Sequence, residues 1–190
     1  MQNLRKSRLQ KGGSKIMQFD LNKSYEILDR TPVVLKTLLK DLNDDWIINN
    51  EGPDTFSPFD VVGHLIHGEK TDWPNRINMI LEKGTTETFV PYDRFAMFND
   101  SKGKSIAQLL YEFEVLRKKN MQWYRSLNLT EADLDKKGIH PILGEVTLRQ
   151  LLSTWVIHDL THIAQITRVM AKQYKDEMGP WVEFFRIMNF

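Results

Sequence analysis

The chain has 190 residues, which suffices for one domain with a substantial core and is short for two. Hydrophobic residues make up 41% and charged residues 27%, an ordinary globular composition, and no apolar stretch approaches the ~18–20 residues that span a bilayer. The absence of cysteine excludes disulfides and thiolate metal sites, so a metal site would need imidazole, carboxylate or carbonyl ligands. We therefore expect a cytoplasmic protein with no membrane partner.

Positive charge is concentrated at the N terminus, although the whole chain has a formal net charge of only +1. Residues 1–16 contain five basic side chains and no acidic one. The remaining 21 basic and 25 acidic side chains give residues 17–190 a charge of about −4, which offers no general attraction for nucleic acid. We predict a disordered basic leader over residues 1–16, with Met17 as an alternative start and a nucleic-acid-binding arm as the alternative role.

The first apolar block predicts a helix over residues 21–42. Pro32 lies inside this block, so we expect either a kink or a break with a second helix starting there. The apolar stripe follows a helical three-four alternation and consists of Leu21, Tyr25, Leu28, Pro32, Leu35, Leu39 and Leu42.

A second helix is predicted to begin after Ser57, which has the residue type of an N-cap. Pro58 follows at the first helical position, and Asp60 stands three residues after the cap, as in a capping box. Apolar residues then continue at helical spacing to the neighbourhood of Gly84. Pro74 lies in the middle of the block and predicts a bend.

Residues 84–103 have no helical period and form a long connection, and connections of this length are usually functional or mobile. Four aromatic residues indicate that the connection packs against the bundle: Phe89, Tyr92, Phe95 and Phe98.

A third helix is predicted after Ser105, because Gln108 completes a capping box with it. A short helical turn at Thr130 and a turn over residues 140–144 follow. The fourth helix is predicted from Thr147 to about residue 174, and it is apolar around most of its circumference. No strand is predicted, and the last ten residues resemble a short amphipathic helix that covers the bundle. We therefore predict an all-α four-helix bundle with a long crossover connection and a short C-terminal helix.

His158 and His162 lie four residues apart on the predicted fourth helix, so their imidazoles can converge on one metal ion. They share a stripe with Leu151, Trp155, Ile166 and Val169, which predicts that they point into the bundle. Buried imidazoles need partners for two nitrogens each, and a metal ion with an outer hydrogen-bond partner supplies both. The alternatives are two core histidines bonded to a neighbouring carboxylate, or one histidine that is exposed.

A third ligand is expected from the second helix, which contains His64 and His67. The apolar centre of this helix lies near Val62, Leu65 and Ile66, so periodicity places His64 on the inward flank and His67 toward solvent. Gly68 leaves the next turn without a side chain, which suits either close approach of a ligand or tight helix packing.

The HDLTH segment differs from the HExxH motif of zinc proteases. Asp159 stands where the catalytic base would be and is one methylene shorter, and the third histidine lies upstream on another helix. We therefore exclude a zinc protease. For proton transfer, Tyr92, Asp93, Arg94 and Asp159 are available, and no catalytic residue is assigned.

Two motifs resemble those of the DinB/YfiT-like family. One is FSPFDVVGHLIHGE at residues 56–69, and the other is WVIHDLTHIAQITRVMAKQY at residues 155–174. The YDRFAMFN, FEVLRKKN and HPILGEVTLRQLL segments between them are also similar, so the resemblance covers roughly residues 20–175. It implies a bundle of unusual connectivity with a nickel or zinc ion at one end. The family's ligands fall on His64, His158 and His162.

The resemblance also implies an activity. Some members of the family are S-transferases that use a low-molecular-weight thiol such as bacillithiol or mycothiol, many have no known activity, and dimers are common. We therefore expect one divalent metal ion, a small-molecule substrate, a homodimer, and activation of a thiol or water for transfer or hydrolysis. The 84–103 connection and the C-terminal segment would form walls of the pocket. The alternative is a non-enzymatic metal- or ligand-binding protein of a stress response.

Overall fold

The computed structural model describes residues 17–189, and three of its long helices begin where the sequence predicts them to start. Capping boxes are present at Ser57 with Asp60 and at Ser105 with Gln108. Thr147 forms another box before the last long helix. Because each box satisfies free backbone N–H groups at a helix start, these short motifs fix where the helices begin. The predicted leader, residues 1–16, lies outside the described residues.

The elements follow one another in a mainly helical order. The helices are α1 (Leu21–Leu39), α2 (Asp44–Ile48), α3 (Pro58–Thr71), α4 (Trp73–Glu82), α5 (Ala96–Asp100), α6 (Ile106–Ser126), α7 (Glu131–Leu134) and α8 (Leu148–Lys172). Between α7 and α8 lie two antiparallel strands, β1 (Lys137–His140) and β2 (Gly144–Thr147). Within residues 17–189 no helix is both long and apolar enough to cross a membrane.

The four long helices form a bundle in which α1 and α3 each contact both α6 and α8. This arrangement confirms the predicted all-α four-helix bundle. One apolar cluster surrounds Leu28 and Trp155, and a second surrounds Leu35 and Ile166. The core is therefore built in two halves along the bundle axis, and the polar groups described below lie between them.

Helix α1 continues through Pro32, so the predicted break does not occur. A proline has no N–H to give to the carbonyl four residues earlier, which here belongs to Leu28. The buried side chain of Arg117 donates to that carbonyl oxygen at 2.8 Å. A side chain from α6 thus supplies the hydrogen bond that the proline removes, and the helix stays intact.

The predicted bend near Pro74 is confirmed as a boundary between two helices. Asp72 ends α3 and begins α4, with backbone angles of φ −111° and ψ −73°. The connection after α4 packs down through Phe89, which is only 2% exposed, whereas Phe95 and Phe98 are exposed. The connection therefore packs against the bundle through Phe89, while Phe95 and Phe98 contribute less to this packing than the sequence suggests.

The β1–β2 hairpin corrects the prediction that no strand is present. Its register pairs Gly138 with Val146 and His140 with Gly144, and Phe89 donates its N–H to Ile139 at 2.8 Å. A Cβ atom on Gly138 would lie 2.8 Å from Ile80 Cγ1 and 2.9 Å from Phe89 Cε1. Only glycine therefore allows the hairpin to lie this close to α4 and the connection.

The C-terminal segment forms two 3₁₀ helices, Gly179–Phe184 and Arg186–Asn189, rather than one amphipathic α-helix. Met188 is buried against the bundle, whereas Trp181 and Phe184 are 66% and 78% exposed. The segment therefore covers less of the bundle than its apolar composition predicts.

Candidate metal centre

Three histidine side chains meet between α3 and α8. His64 Nε2 lies 3.0 Å from His158 Nε2, and His162 Nε2 lies 3.1 Å from the same atom. A candidate ligand atom from each residue lies within 4.8 Å of the other two. The structure thus brings together the three residues that the sequence proposes as ligands. The four-residue spacing on α8 supplies two of them, and α3 places the third opposite.

Hydrogen bonds at the outer nitrogens leave two of the Nε2 atoms with free lone pairs. The Tyr92 hydroxyl donates to the backbone carbonyl of His64 at 3.4 Å, and its oxygen lies 3.2 Å from His64 Nδ1. A hydroxyl has one hydrogen, so its oxygen accepts from Nδ1–H. His162 Nδ1 lies 2.8 Å from Gln165 Oε1 and donates to it. Both imidazoles therefore carry their proton on Nδ1 and aim Nε2 at the centre.

His158 occupies the middle of the group. Its Nε2 faces two other lone pairs, and its buried Nδ1 has no hydrogen-bond partner within residues 17–189. The ring is held by packing instead, edge-on to Trp73 at a centroid distance of 5.1 Å. In the metal-free protein a proton on His158 Nε2 can be shared with the two other lone pairs. A divalent ion in its place would receive one lone pair from each ring, and three imidazoles with further positions open are a donor set that zinc and similar ions accept. The residues present therefore fit a divalent metal ion.

Burial keeps these imidazoles neutral. It lowers the pKa of His64 to about 3 and the pKa of His158 to about 2, and the neighbouring imidazoles lower both further because a second positive charge would be repelled. Burial also lowers the pKa of His162, although Gln165 and Asp159 oppose this. Neutral rings offer lone pairs to a metal ion without first losing a proton.

The metal-free protein is expected to lose stability as the pH falls below the ordinary histidine pKa of 6.5. Between that pH and about 5, the unfolded chain takes up protons at His64 and His158 that the folded chain does not bind. Each group therefore lowers the free energy of unfolding by about 0.7 kcal/mol per pH unit at pH 6.5, rising toward about 1.4 kcal/mol per pH unit near pH 5. Urea unfolding in the presence of a chelator at pH 7.5, 6.5, 5.5 and 5.0 measures this slope. A free energy that stays constant over the range would contradict it, and His64→Ala should give a shallower slope.

A cavity of about 590 Å³ opens beside the three histidines. The connection after α4 contributes Tyr92 and Arg94, as predicted, but the C-terminal segment supplies no lining residue within the described part of the chain. The other walls were not predicted from the sequence. They are Glu51, Asp54, Thr55 and Phe56 before α3, Asp72, Trp73 and Arg76 at the start of α4, His140 in the hairpin, and Gln165 and Arg168 on α8. Of these, Gln165 was detectable, because it stands one turn after His162.

His67 corrects the periodicity argument, which placed it toward solvent. It is 8% exposed, as is His64, and its Nδ1 lies 3.6 Å from Asp100 Oδ2. Ten of the fourteen residues of α3 are buried, so the helix has almost no solvent side for periodicity to detect. Gly68 lines the cavity, and a Cβ there would lie 3.2 Å from Trp73 Nε1.

A buried ion cluster joins the helices that carry the histidines. Arg117 on α6 donates to both carboxylate oxygens of Asp159, at 2.6 and 3.0 Å, and to Glu69 Oε1 at 2.8 Å. Glu69 also accepts from Asn120 and Trp155. Asp159 adjoins His158 on α8, and Glu69 follows His64 on α3. The cluster therefore fixes the two helices relative to each other, and Asp159 serves this network and not the role of a protease base.

The remaining candidates for proton transfer have distinct positions. Asp93 accepts backbone hydrogen bonds from Phe95 at 2.9 Å and Ala96 at 3.2 Å, which gives it a structural role at the start of α5. Arg94 is exposed at the edge of the cavity, with its guanidinium 4.9 Å from the centroid of the Phe95 ring. Among these residues, only Tyr92 contacts one of the three histidines.

Fold and site together define a helical bundle with a three-histidine group able to hold a metal ion. The family model of the DinB superfamily matches residues 27–166, well over half of the chain. The chain therefore belongs to the DinB superfamily, as the sequence motifs indicate.

Among solved structures, the fold is similar to that of YfiT from Bacillus subtilis, which is described as a probable metal-dependent hydrolase with an unusual four-helix bundle topology. The TM-score is 0.69 at 24% sequence identity, and the alignment covers 87% of this chain and 91% of that one. At this identity the likeness shows the fold. A search of curated proteins gave no match.

Proposed function

We propose that His64, His158 and His162 bind one divalent metal ion, nickel or zinc, and that the protein is a metal-dependent enzyme acting on a small molecule. The observation that carries this proposal is the convergence of three Nε2 atoms at the wall of a cavity of about 590 Å³. A site that only stabilised the fold would be closed by a fourth protein ligand. Within residues 17–189, the group contains three.

The metal ion would supply acidification of a bound water or low-molecular-weight thiol, because three neutral imidazoles leave its charge of +2 uncompensated. The chain's own residues prepare this site. Gln165 orients the ring of His162, and Tyr92 orients that of His64. Burial raises the pKa of Tyr92, so its hydroxyl stays protonated, donates to the His64 carbonyl and accepts from His64 Nδ1–H.

Tyr92→Phe is expected to weaken metal binding by about 10–100-fold, because outer hydrogen-bond partners of metal-bound histidines contribute about that much. The variant keeps the ring, which lies 5.5 Å from that of His64, and removes only the hydroxyl. Competition with a chromophoric chelator measures the dissociation constant. An affinity equal to that of the wild type would show that the hydroxyl does not position His64.

Turnover by the reconstituted protein tests the enzymatic part of the proposal. Metal-free protein is loaded with nickel or zinc and assayed against an activated ester for hydrolysis, and against a generic electrophile with a panel of low-molecular-weight thiols. We expect turnover that requires the metal and disappears with chelator. If every combination is inactive while the metal stays bound, the enzymatic proposal fails, and a metal- or ligand-binding protein replaces it.

A further inference from the structure

His140 lies at the end of β1, on a wall of the cavity that the metal centre does not use. Its Nδ1 is 3.2 Å from the backbone nitrogens of both Ile142 and Leu143, and it accepts from these two N–H groups. A nitrogen that accepts must carry a lone pair, so the proton of the neutral ring is on Nε2. Burial, together with the charge of Arg76, lowers the pKa of His140 and favours this neutral form.

The Nε2–H group of His140 has no acceptor among residues 17–189. No side chain or carbonyl within residues 17–189 forms a hydrogen bond with it, and the residue faces the cavity. The hairpin turn therefore fixes a histidine with an unpaired Nε2–H in the wall of the space that a substrate would occupy.

Arg76 supplies a second fixed donor in the same cavity. Its Nε lies 2.6 Å from Asp72 Oδ1, and its side chain is only 12% exposed. Nε is buried, and its contact with this carboxylate is an ion pair without hydrogen-bond geometry. The two terminal amino groups form no hydrogen bond with any residue in 17–189, and the guanidinium carbon lies 5.4 Å from the centroid of the Phe89 ring.

The Phe89 ring connects the two donors. It is buried, contacts the His140 ring edge-on at a centroid distance of 6.2 Å, and contacts the guanidinium of Arg76. Both donors are therefore anchored to one rigid aromatic side chain. Arg94 adds positive charge at the cavity edge and forms no ion pair within residues 17–189, whereas Arg168 is bound to Glu51 at 3.1 and 3.0 Å.

We propose that the Nε2–H of His140 and the terminal amino groups of Arg76 bind an anionic oxygen group of the substrate, such as a carboxylate. Both groups only donate, and a planar guanidinium edge matches the two oxygens of a carboxylate. Asp72 compensates the charge of Arg76, and Asp54 on the cavity wall opposes that of Arg94, so the arrangement of the donors selects the anion. Only the assignment of this anion to the substrate rests on the proposed function; the anion subsite itself does not.

Binding of succinate, with succinamide as its neutral analogue, tests the subsite by isothermal titration calorimetry. His140→Asn is the matched variant, because an asparagine oxygen can still accept from the backbone N–H groups of the turn while the Nε2–H is lost. Arg76→Lys keeps the charge and removes the paired amino groups. We expect succinate to bind more tightly than succinamide, and each variant to weaken succinate binding by about tenfold.

The titrations are run on metal-loaded and metal-free protein, since a carboxylate also binds metal ions. Dependence on His140 and Arg76 in the metal-free protein supports the subsite even if the metal-dependent activity is not found. Equal dissociation constants for wild type and both variants would overturn the inference. So would long-range ¹H–¹⁵N spectra of metal-free protein that place the His140 proton on Nδ1, since the expected signal is that of the Nε2–H form.

Discussion

Replacing Arg117 with methionine is expected to lower the free energy of unfolding by about 3–5 kcal/mol, because it leaves buried carboxylates without their cation. The side chains of Glu69 and Asp159 are both 0% exposed. Within residues 17–189, the basic side chain that pairs with each of them is Arg117. The same change removes the donor to the Leu28 carbonyl that Pro32 leaves free. Urea unfolding of wild type and variant measures the difference.

Arg125→Met is the matched control, because Arg125 pairs with Asp29 at the surface, where both side chains are more than 40% exposed. A pair of this kind contributes at most about 1 kcal/mol. Adding Glu69→Gln and Asp159→Asn to Arg117→Met should restore part of the stability, since it removes the uncompensated charges. Equal losses for Arg117→Met and Arg125→Met would contradict the structural role of the cluster.

His158→Ala is expected to reduce metal-dependent turnover by at least about 100-fold, because this residue is the middle member of the three-histidine group. Its Nε2 lies within 3.1 Å of the Nε2 atoms of both His64 and His162. Loss of a direct ligand should exceed the effect of an outer hydrogen-bond partner, which reaches about 100-fold. The comparison uses kcat/KM of metal-loaded protein.

Thr161→Ala is the control for this change, since Thr161 is exposed on the same helix and donates only to the backbone of Ile157. It should keep the activity of the wild type. If His158→Ala keeps that activity as well, the histidine group is not the site of the reaction.

Helix starts and the histidine pair on α8 could be predicted from the sequence because both depend on local spacing. A cap and its partner lie three residues apart, and His158 and His162 lie one turn apart on a stripe whose apolar members are buried. Local spacing alone could not identify His64 as the third ligand, because only the tertiary structure places α3 opposite α8.

The buried charges could not be predicted in the same way. From the sequence alone, Arg117 and Glu69 are expected at the surface, since charged side chains are seldom fully buried unless they are paired. Their partner Asp159 is 42 positions from Arg117 along the chain. His67 was misplaced for a related reason, because a helix buried on most sides has no polar face from which orientation can be inferred.

The hairpin and the cavity walls depend on contacts between distant segments. Strands of four residues are too short for their alternation to be distinguished from a turn, and β1 is stabilised by β2 and Phe89. His140 therefore appeared in the sequence only as part of a turn. Its position on the cavity wall follows from the close packing at Gly138.

Metal content measured by mass spectrometry on wild type, His162→Ala and His67→Gln tests the central claim most directly. His67 is the control, because it is a buried histidine on α3 that lies outside the three-histidine group. We expect about one divalent ion per chain in wild type and His67→Gln, and almost none in His162→Ala. Equal metal content in wild type and His162→Ala would contradict it.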